Sequence, residues 1–416
     1  MRTALAACLR HTAGVLLATL AVTSMSAVTS TSAMAQDANA PIAIGMVLSK
    51  QGVFSDIGRD GARGAMLAVD DVDAKVLGRP IKVIWYDDTD PQTAQQNMIK
   101  LIDHDKVVAV VGGVNSASSL AEGSVAKQNK IPLVVIVGSA TEITGKSCNR
   151  YTFRTFYSAP VVTRALVPNL IEKGKRWYFL APNYAAGNDA YKGMKKELLR
   201  LGGTEVGADV LPLGTTDFSA FILKIRQANP DVVAFSFAGQ DLGNFLKQWS
   251  QFGMKDKIPV GGPFISESTL WSLDKNSQTG IYAKSWEYND PALSPLERKF
   301  AAAYRAKYGE PASMVAWDGW MSMRAIIDGI KGAKSTDGPA IVQQLETIQW
   351  HDRELPSYYR SWDHQFIHSL LIVQARAPKA DKWDIVDIRQ TVPAKGEDID
   401  KIFGDRAEVG CQMGEL

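Results

Sequence analysis

The sequence is poor in the residues from which metal centres and nucleophilic active sites are usually built. Three of its 416 residues are cysteine and five are histidine. Neither the His-Glu-x-x-His motif of zinc enzymes nor the Gly-x-Ser-x-Gly motif of serine hydrolases occurs. We therefore expect no catalytic residue, no metal and no cofactor, and predict that the protein is not an enzyme.

The chain also lacks an excess of charge of either sign. Residues 1–35 contain Arg2 and Arg10 but no acidic residue, so beyond residue 35 the basic residues equal the 44 acidic ones in number. A nearly neutral chain without a basic patch is a poor match for a nucleic-acid partner.

Long apolar runs are absent outside the N-terminal region. There, an apolar run at residues 13–22 follows Arg2 and Arg10 and precedes the pattern Ala33-Met34-Ala35. The run is too short to span a bilayer, and the order of features is typical of a secretory signal peptide. We predict that residues 1–35 are a signal peptide cleaved after Ala35, and that the mature protein lies outside the cytoplasm.

The three cysteines have different predicted fates. Cys8 lies in the signal peptide and precedes its apolar run, whereas the cysteine of a lipoprotein signal follows that run, so a lipid anchor is the less favoured alternative. Cys148 and Cys411 remain after cleavage, and an exported protein with two cysteines can form one disulfide. We predict this bridge, with two free thiols as the alternative.

From residue 41 onward, short apolar runs alternate with amphipathic segments. The runs predict buried strands, and helical spacing between them, as in Ala94, Met98 and Leu101, predicts helices that cover the sheets. Two such units, followed by a third portion from about residue 286, predict an α/β protein with parallel sheets. The predicted strands are 42–48, 81–86, 107–112, 131–137, 177–180, 210–213, 231–237, 258–261, 367–375 and 383–388.

Two segments superficially resemble functional motifs. Residues 140–147 fit a loose phosphate-binding loop, but the chain that follows is predicted to be extended rather than helical, which argues against nucleotide binding. His364 and His368 have a helical metal-ligand spacing, but on the strand predicted there they would lie about 13 Å apart.

Two loops carry hydroxyl groups where parallel strands end. Residues 113–119 follow one predicted strand and residues 138–142 follow the next, and open α/β sheets bind ligands at this edge. Ser116 and Ser139, together with the adjoining backbone N–H groups at a helix start, would suit a carboxylate. The alternative is that both serines only cap helices.

These loops belong to a larger set of residues in a characteristic order. Together they resemble the type I periplasmic binding proteins of ABC importers, in the leucine/isoleucine/valine-binding branch. The residues that carry this resemblance are 44–49, Gly52, Gly58, Gly61, Gly64, 86–88, 90–91, 112–119, 131–141 and 153–155.

The resemblance implies two doubly wound parallel-sheet lobes joined by a three-strand hinge. We expect the first lobe to contain residues 37–155 and 286–360, and the second to contain residues 156–285 and 361–416. The hinge strands are expected near residues 153–158, 282–288 and 359–365.

The resemblance also implies a ligand site between the lobes. Ser116 and Ser139 match positions that hold a ligand carboxylate, with Asn115 beside the first, and Val137 matches a position whose carbonyl accepts from the ligand amine. Phe54 lies in a loop that faces the cleft in this fold.

The second lobe departs from the family pattern. Aromatic positions fall on Ala186 and Ala238, although Tyr184 lies nearby. Phe264 stands where amino-acid binders carry an acidic residue that pairs with the ligand ammonium, and Glu267 is the one nearby acid that could replace it.

The expected function is therefore capture of a small carboxylate-bearing solute and its delivery to an ABC permease by a monomeric binding protein. Branched-chain amino acids and aromatic acids both remain open as ligands, with aromatic acids preferred. The alternatives are a periplasmic sensory protein that signals to a receptor and, less favoured, an exported enzyme.

Overall fold

The computed structural model describes residues 39–416 except residues 266, 354 and 395–399. The predicted signal peptide and its cleavage site lie outside the described residues. Within the described part of the chain, none of the helices combines the length and hydrophobicity needed to cross a bilayer.

Strands and helices alternate through most of the chain, as the sequence predicts. The strands are β1 (Ile42–Val47), β2 (Lys75–Val76), β3 (Arg79–Tyr86), β4 (Ala109–Gly112), β5 (Leu133–Val135), β6 (Thr152–Arg154), β7 (Arg176–Pro182), β8 (Thr204–Leu211), β9 (Val232–Phe235), β10 (Val260–Gly262), β11 (Gly280–Lys284), β12 (Gln349–Trp350), β13 (Ser357–Tyr359), β14 (Phe366–Ile367), β15 (Leu370–Ala375) and β16 (Val386–Val392).

The helices fill the connections between these strands. They are α1 (Ser55–Asp70), α2 (Pro91–Asp103), α3 (Ser116–Asn129), α4 (Ala159–Leu170), α5 (Ala185–Arg200), α6 (Ser219–Ala228), α7 (Gly239–Gln251), α8 (Glu267–Ser272), α9 (Pro295–Tyr308), α10 (Met314–Ala333), α11 (Gly338–Leu345), α12 (Asp400–Phe403) and α13 (Arg406–Val409), with a short 3₁₀ helix at Ile171–Lys173.

The first lobe is built on a six-stranded sheet in the order β2-β3-β1-β4-β5-β6. From β3 to β6 the neighbouring strands are parallel, and the short β2 joins β3 antiparallel. All residues of β4 and β5 are buried, because parallel strands covered by helices on both faces exclude water from both sides. This is why they appear in the sequence as continuous apolar runs.

The second lobe is built on a seven-stranded sheet in the order β16-β15-β11-β10-β9-β7-β8. The strands from β8 to β11 are parallel, whereas β15 and β16 are antiparallel additions at one edge. The two parallel-sheet lobes confirm the predicted α/β fold class.

The chain passes between the sheets at three places. The first follows β6 and the second follows β11. The third includes the small antiparallel sheet β12-β13-β14. The first and third passages touch, since the N–H of Arg154 donates to the carbonyl of His364 at 3.0 Å and Arg154 pairs in parallel with Gln365. The lobe boundaries given above stay a prediction within these passages.

Helices α1 and α10 pack at very short range in the first lobe. A Cβ atom added to Gly64 would lie 1.7 Å from the carbonyl oxygen of Ala316, and one added to Gly319 would lie 2.1 Å from that of Gly61. The absence of side chains at these glycines therefore allows α10 to approach α1 closely. This contact brings the start of α10 to the edge of the sheet.

Two edge strands begin and end elsewhere than predicted. Strand β8 occupies residues 204–211 rather than 210–213, and β16 occupies residues 386–392 rather than 383–388. Both lie at sheet edges and are largely exposed on one side. Because polar residues interrupt both strands, a search for continuous apolar runs does not find their bounds.

Cys148 and Cys411 are joined by a disulfide with a Cα–Cα distance of 5.7 Å. This is the pairing that the sequence predicts. It fastens the C-terminal segment beyond β16 to the turn that precedes β6 in the first lobe.

Candidate functional site

A cavity lies between the two lobes, where strands of both sheets end at their carboxyl termini. The cavity brings together all eight residues singled out from the sequence, Phe54, Asn115, Ser116, Val137, Ser139, Tyr184, Ala238 and Phe264. It is also lined by Ile57, Val114, Phe156, Ala186, Ile265, Met314 and Val315.

The polar end of the cavity is formed by the loops after β4 and β5. Asn115 is the N-cap of α3, and its Oδ1 accepts the N–H of Ala117 at 2.8 Å. Ser116 is the first residue of that helix, and its Oγ accepts the N–H groups of Ser139 and Ala140, each at 3.2 Å. The two loops are thus tied together by the hydroxyl of Ser116.

This arrangement determines what Ser116 can offer a ligand. A serine hydroxyl has two acceptor lone pairs and one donor hydrogen. Both lone pairs of Ser116 Oγ already accept backbone N–H groups, so only the O–H remains to donate. A group limited in this way favours an anionic acceptor such as a carboxylate.

Ser139 offers a second hydroxyl. Its side chain is buried, and its Oγ makes no hydrogen bond with any described residue. Because Asn115 caps α3 and no helix begins after Ser139, the alternative that both serines are helix caps is wrong.

Residues 141–147, which follow this loop, form consecutive turns. A Cβ atom added to Gly145 would lie 2.6 Å from the carbonyl oxygen of Thr141, so the chain folds back tightly here. Cys148 then anchors the end of these turns through the disulfide.

The rest of the cavity wall is mainly apolar and aromatic. The rings of Phe54 and Tyr184 meet edge to face across the cleft with centroids 6.2 Å apart, and those of Phe156 and Phe264 lie 6.4 Å apart. The hydroxyl of Tyr184 lies 3.5 Å from the carbonyl oxygen of Ser236, which leaves it available for a closer partner. A flat apolar group would contact rings contributed by both lobes.

No acidic side chain lines the cavity among the described residues. The side chain of Glu267 is buried outside the cavity. Its carboxylate accepts the N–H of Met314 at 2.8 Å and pairs with Lys284 Nζ at 2.8 Å. Glu267 therefore does not replace the acidic residue that is missing at Phe264. An ammonium group in the cavity would find no counter-charge on these walls.

Two buried carboxyl groups support the polar loops from behind. Asp88 accepts the hydroxyl of Ser49 and the N–H of Val114, the latter at 3.1 Å, and burial raises the pKa of Asp88 to about 7. Burial also raises the pKa of Glu122, whose carboxyl oxygens have no hydrogen-bond partner among the described residues. Sequence reasoning missed the role of Asp88, which lies two residues after the end of β3.

The lobes contact each other around the cavity. The N–H of Gln240 donates to the carbonyl of Val53 at 3.3 Å, and the hydroxyl of Ser268 donates to Asp60. These bonds join α7 and α8 of the second lobe to the first lobe. The structure is therefore that of a closed cleft.

The motif-like segments have ordinary structural roles. Residues 140–147 contain no helix, which a phosphate-binding loop requires. His364 Nε2 bonds Glu346 at 2.8 Å and His368 Nδ1 bonds the hydroxyl of Tyr157 at 2.9 Å, so the two rings have separate partners. Over the described ranges, no group of three or more metal-ligating side chains is placed to hold an ion.

Comparisons with known proteins agree with this architecture. A model of the periplasmic binding protein family matches residues 41–382. A Leu/Ile/Val-binding protein homologue of Brucella abortus is 26% identical over 321 residues, which cover 74% of this chain and 81% of the relative.

Solved structures give the same result. A periplasmic binding protein of Burkholderia mallei is 25% identical with a TM-score of 0.81, covering 89% of this chain and 98% of its own. A solute-binding protein of an ABC transporter from Rhodopseudomonas palustris, solved with 3,4-dihydroxybenzoic acid, is 23% identical with a TM-score of 0.77 and covers 84% and 97%. This chain therefore belongs to the periplasmic binding protein family.

Proposed function

We propose that this protein captures a small solute with one carboxylate in the interlobe cavity and delivers it to the membrane permease of an ABC importer. The observation that carries the proposal is the pair of serine hydroxyls at the polar end of a mainly apolar cavity. Ser116, with both lone pairs occupied, can only donate, and the buried Ser139 Oγ is free to do so. Charge-assisted hydrogen bonds of this kind are stronger than those between neutral groups.

The missing acidic residue favours an aromatic or other apolar monocarboxylate over a branched-chain amino acid. Burying an ammonium group without a counter-charge is costly. Phe264 occupies the wall where that charge would stand, and Glu267 is already paired with Lys284. The relatives are compatible with either ligand, since one is named for leucine, isoleucine and valine and another was solved with a dihydroxybenzoic acid.

In the proposed complex, the ligand carboxylate lies between Ser116 and Ser139 and its apolar body lies against Phe54, Phe156 and Phe264. Ligand contacts with both lobes would shift the population toward the closed form, which is the form delivered to the permease. Cleavage after Ala35, a periplasmic location and a monomeric state remain part of the proposal. No bond of the solute is made or broken.

Calorimetric titration with benzoate, 3,4-dihydroxybenzoate and leucine tests the proposal. We expect an aromatic acid to bind more tightly than leucine. Replacing both serines (Ser116→Ala with Ser139→Ala) removes two hydrogen bonds to a charged group and should weaken that binding by about 100-fold or more.

Ser124→Ala is the matched control, because Ser124 lies on the same helix as Ser116 but is exposed. It should leave the affinity unchanged. Tight binding of leucine without any response to the aromatic acids would contradict the preferred ligand class. Unchanged affinity in the double serine variant would contradict the carboxylate site itself.

A further inference from the structure

Arg154 is a buried cation whose hydrogen-bond partners are all neutral. Its side chain is 1% exposed, and it donates to Ala140 O at 2.7 Å, to Gln365 Oε1 at 2.9 Å and to the hydroxyl of Thr144. Burial lowers the pKa of Arg154 to about 9, so the guanidinium is still protonated at neutral pH. Within the described residues, no carboxylate lies at ion-pair distance from it. The carboxylates of Asp363 and Asp189 attract it without direct contact, while Arg360 repels it. A buried charge needs such compensation.

Arg154 is linked to a carboxylate of the opposite lobe, that of Asp189, through a single peptide group. The carbonyl oxygen of Ala140 accepts from Arg154, and the N–H of the same peptide group, on Thr141, donates to Asp189 Oδ2 at 2.8 Å. Asp189 lies on α5 in the second lobe, whereas Ala140 and Thr141 belong to the first. The peptide group is therefore held between a cation behind it and an anion from the opposite lobe.

This peptide group directly follows Ser139, which lines the polar end of the cavity. The N–H groups of Ser139 and Ala140 fix the hydroxyl of Ser116, and Ser139 carries the second hydroxyl. The position of the Ala140–Thr141 peptide therefore affects the positions of both hydroxyl donors, those of Ser116 and Ser139. Asp189 itself does not line the cavity.

We propose that Asp189 is a positioning residue, which pairs with Arg154 across the Ala140–Thr141 peptide when the lobes close and thereby sets Ser139 and Ser116 for the ligand carboxylate. In the open form, α5 withdraws and the bond to Thr141 is broken. Arg154 then loses the attraction of Asp189 and keeps that of Asp363, so closure is favoured and the carboxylate donors are completed in the same step. The effect on ligand binding rests on the function proposed above.

The neighbouring cations are compatible with this role. Lys192 and Lys196, on the same helix as Asp189, line a surface cavity beside it together with Arg164. They lie in the same lobe as Asp189 and move with it when the lobes separate. The bond to Thr141 is the contact that depends on closure.

Variants of Asp189 test the proposal with benzoate as the probe. Asp189→Ala removes the acceptor and the charge, and we expect benzoate affinity to fall about tenfold, which corresponds to about 1.4 kcal/mol. Asp189→Asn keeps a hydrogen-bond acceptor and loses the charge, so its affinity for benzoate should lie between that of the wild type and that of Asp189→Ala. Asp256→Ala, an exposed acid elsewhere in the second lobe, should match the wild type.

A double-mutant cycle separates positioning from general destabilisation. In a Ser139→Ala background, Asp189→Ala should lose much of its effect, because one of the donors that it positions is gone. An equal loss in both backgrounds would overturn the proposal, as would an Asp189→Ala variant with wild-type affinity. Wild-type affinity in Asp189→Asn would show that the charge of Asp189 is not needed, and it would contradict the proposed pairing with Arg154.

Lobe closure is measured independently of the ligand class. Spin labels at Lys127→Cys on α3 and Gln227→Cys on α6, both exposed, report the interlobe distance by pulsed electron paramagnetic resonance. Asp189→Ala should shift the distribution of the unliganded protein toward longer distances. If no carboxylate bound the wild type, the proposed function would fall, but this shift would still support the interlobe pair and its absence would overturn it.

Discussion

At the scale of single residues, the proposed ligand preference rests on Phe264 in the cavity wall and on Glu267, a nearby acid that is already paired. Phe264 adds apolar surface beside Phe156, while Glu267 is held by Lys284 and by the N–H of Met314. The site therefore keeps the donors for a carboxylate and lacks a partner for an ammonium. Neither fact depends on the shape of any particular solute.

Restoring an acid at this position should change the preference. In Phe264→Glu, we expect benzoate affinity to fall at least tenfold, because the new carboxylate repels an anion and removes an aromatic contact. Leucine affinity should rise, because its ammonium gains a partner. Calorimetric titration with benzoate and with leucine measures both changes in affinity.

Phe264→Leu is the control for lost aromatic area, and it should weaken benzoate without improving leucine. If leucine bound Phe264→Glu no better than it binds the wild type, the ammonium would have to lie elsewhere in the cavity.

The sequence predicted the residues of this site that follow strands of the sheets, and it missed those that arrive from elsewhere. Ser116 and Ser139 could be found because hydroxyls after two adjacent parallel strands must meet at one sheet edge. Phe156 comes from the first passage between the lobes, and Met314 comes from the start of α10. Their place in the wall follows from packing over long sequence distances, which an apolar pattern does not encode.

At the scale of secondary structure, prediction succeeded where strands are buried on both faces. Strands β1, β4 and β9 appear in the sequence as continuous apolar runs and are almost completely buried. The short antiparallel strands from β12 to β14 had no such signal, and the edge strands β8 and β16 had a weaker one. The turns at residues 141–147 depend on a disulfide and on close backbone contacts, so local sequence could not specify them.

The closest helix contact of the first lobe gives a prediction about stability. Gly64→Ala places a methyl group 1.7 Å from the carbonyl oxygen of Ala316, so α1 and α10 must move apart. We expect the free energy of unfolding to fall by about 1–3 kcal/mol or more, as overpacking typically costs. Thermal or denaturant unfolding measures this change.

Gly414→Ala is the matched control, because a Cβ atom there meets no other atom within 4 Å. It should leave the stability unchanged. An equally stable Gly64→Ala protein would show that α10 can shift without cost. Because Met314 and Val315 of α10 line the cavity, ligand affinity should weaken along with stability.

At the scale of the whole molecule, buried carboxyl groups link stability to pH. Burial raises the pKa of Asp88 to about 7, whereas an aspartate in an unfolded chain has a pKa near 3.9. Between these values the folded form binds more protons than the unfolded chain. The contribution of Asp88 to stability is therefore fully present below about pH 4 and decreases as the pH rises toward 7. Above about pH 7 it no longer changes with pH.

Asp88→Asn should reduce this dependence. The amide does not titrate, and it can still accept the N–H of Val114, so the melting temperature should fall less between pH 5 and pH 8 than it does in the wild type. Scanning calorimetry at several pH values measures the two profiles. Asp256→Asn, which changes an exposed acid, should retain the wild-type profile, and parallel profiles for Asp88→Asn would contradict the role of Asp88.

The bridge between Cys148 and Cys411 turns most of the protein into a covalent ring. The two cysteines are 263 positions apart in sequence, and the ring they close includes the entire second sheet and helix α10. A protease that cuts one exposed loop within this ring opens it but releases no fragment, so both pieces stay attached under oxidising conditions. Nicked molecules outside the cytoplasm thus keep their halves together, and only reduction would let them part.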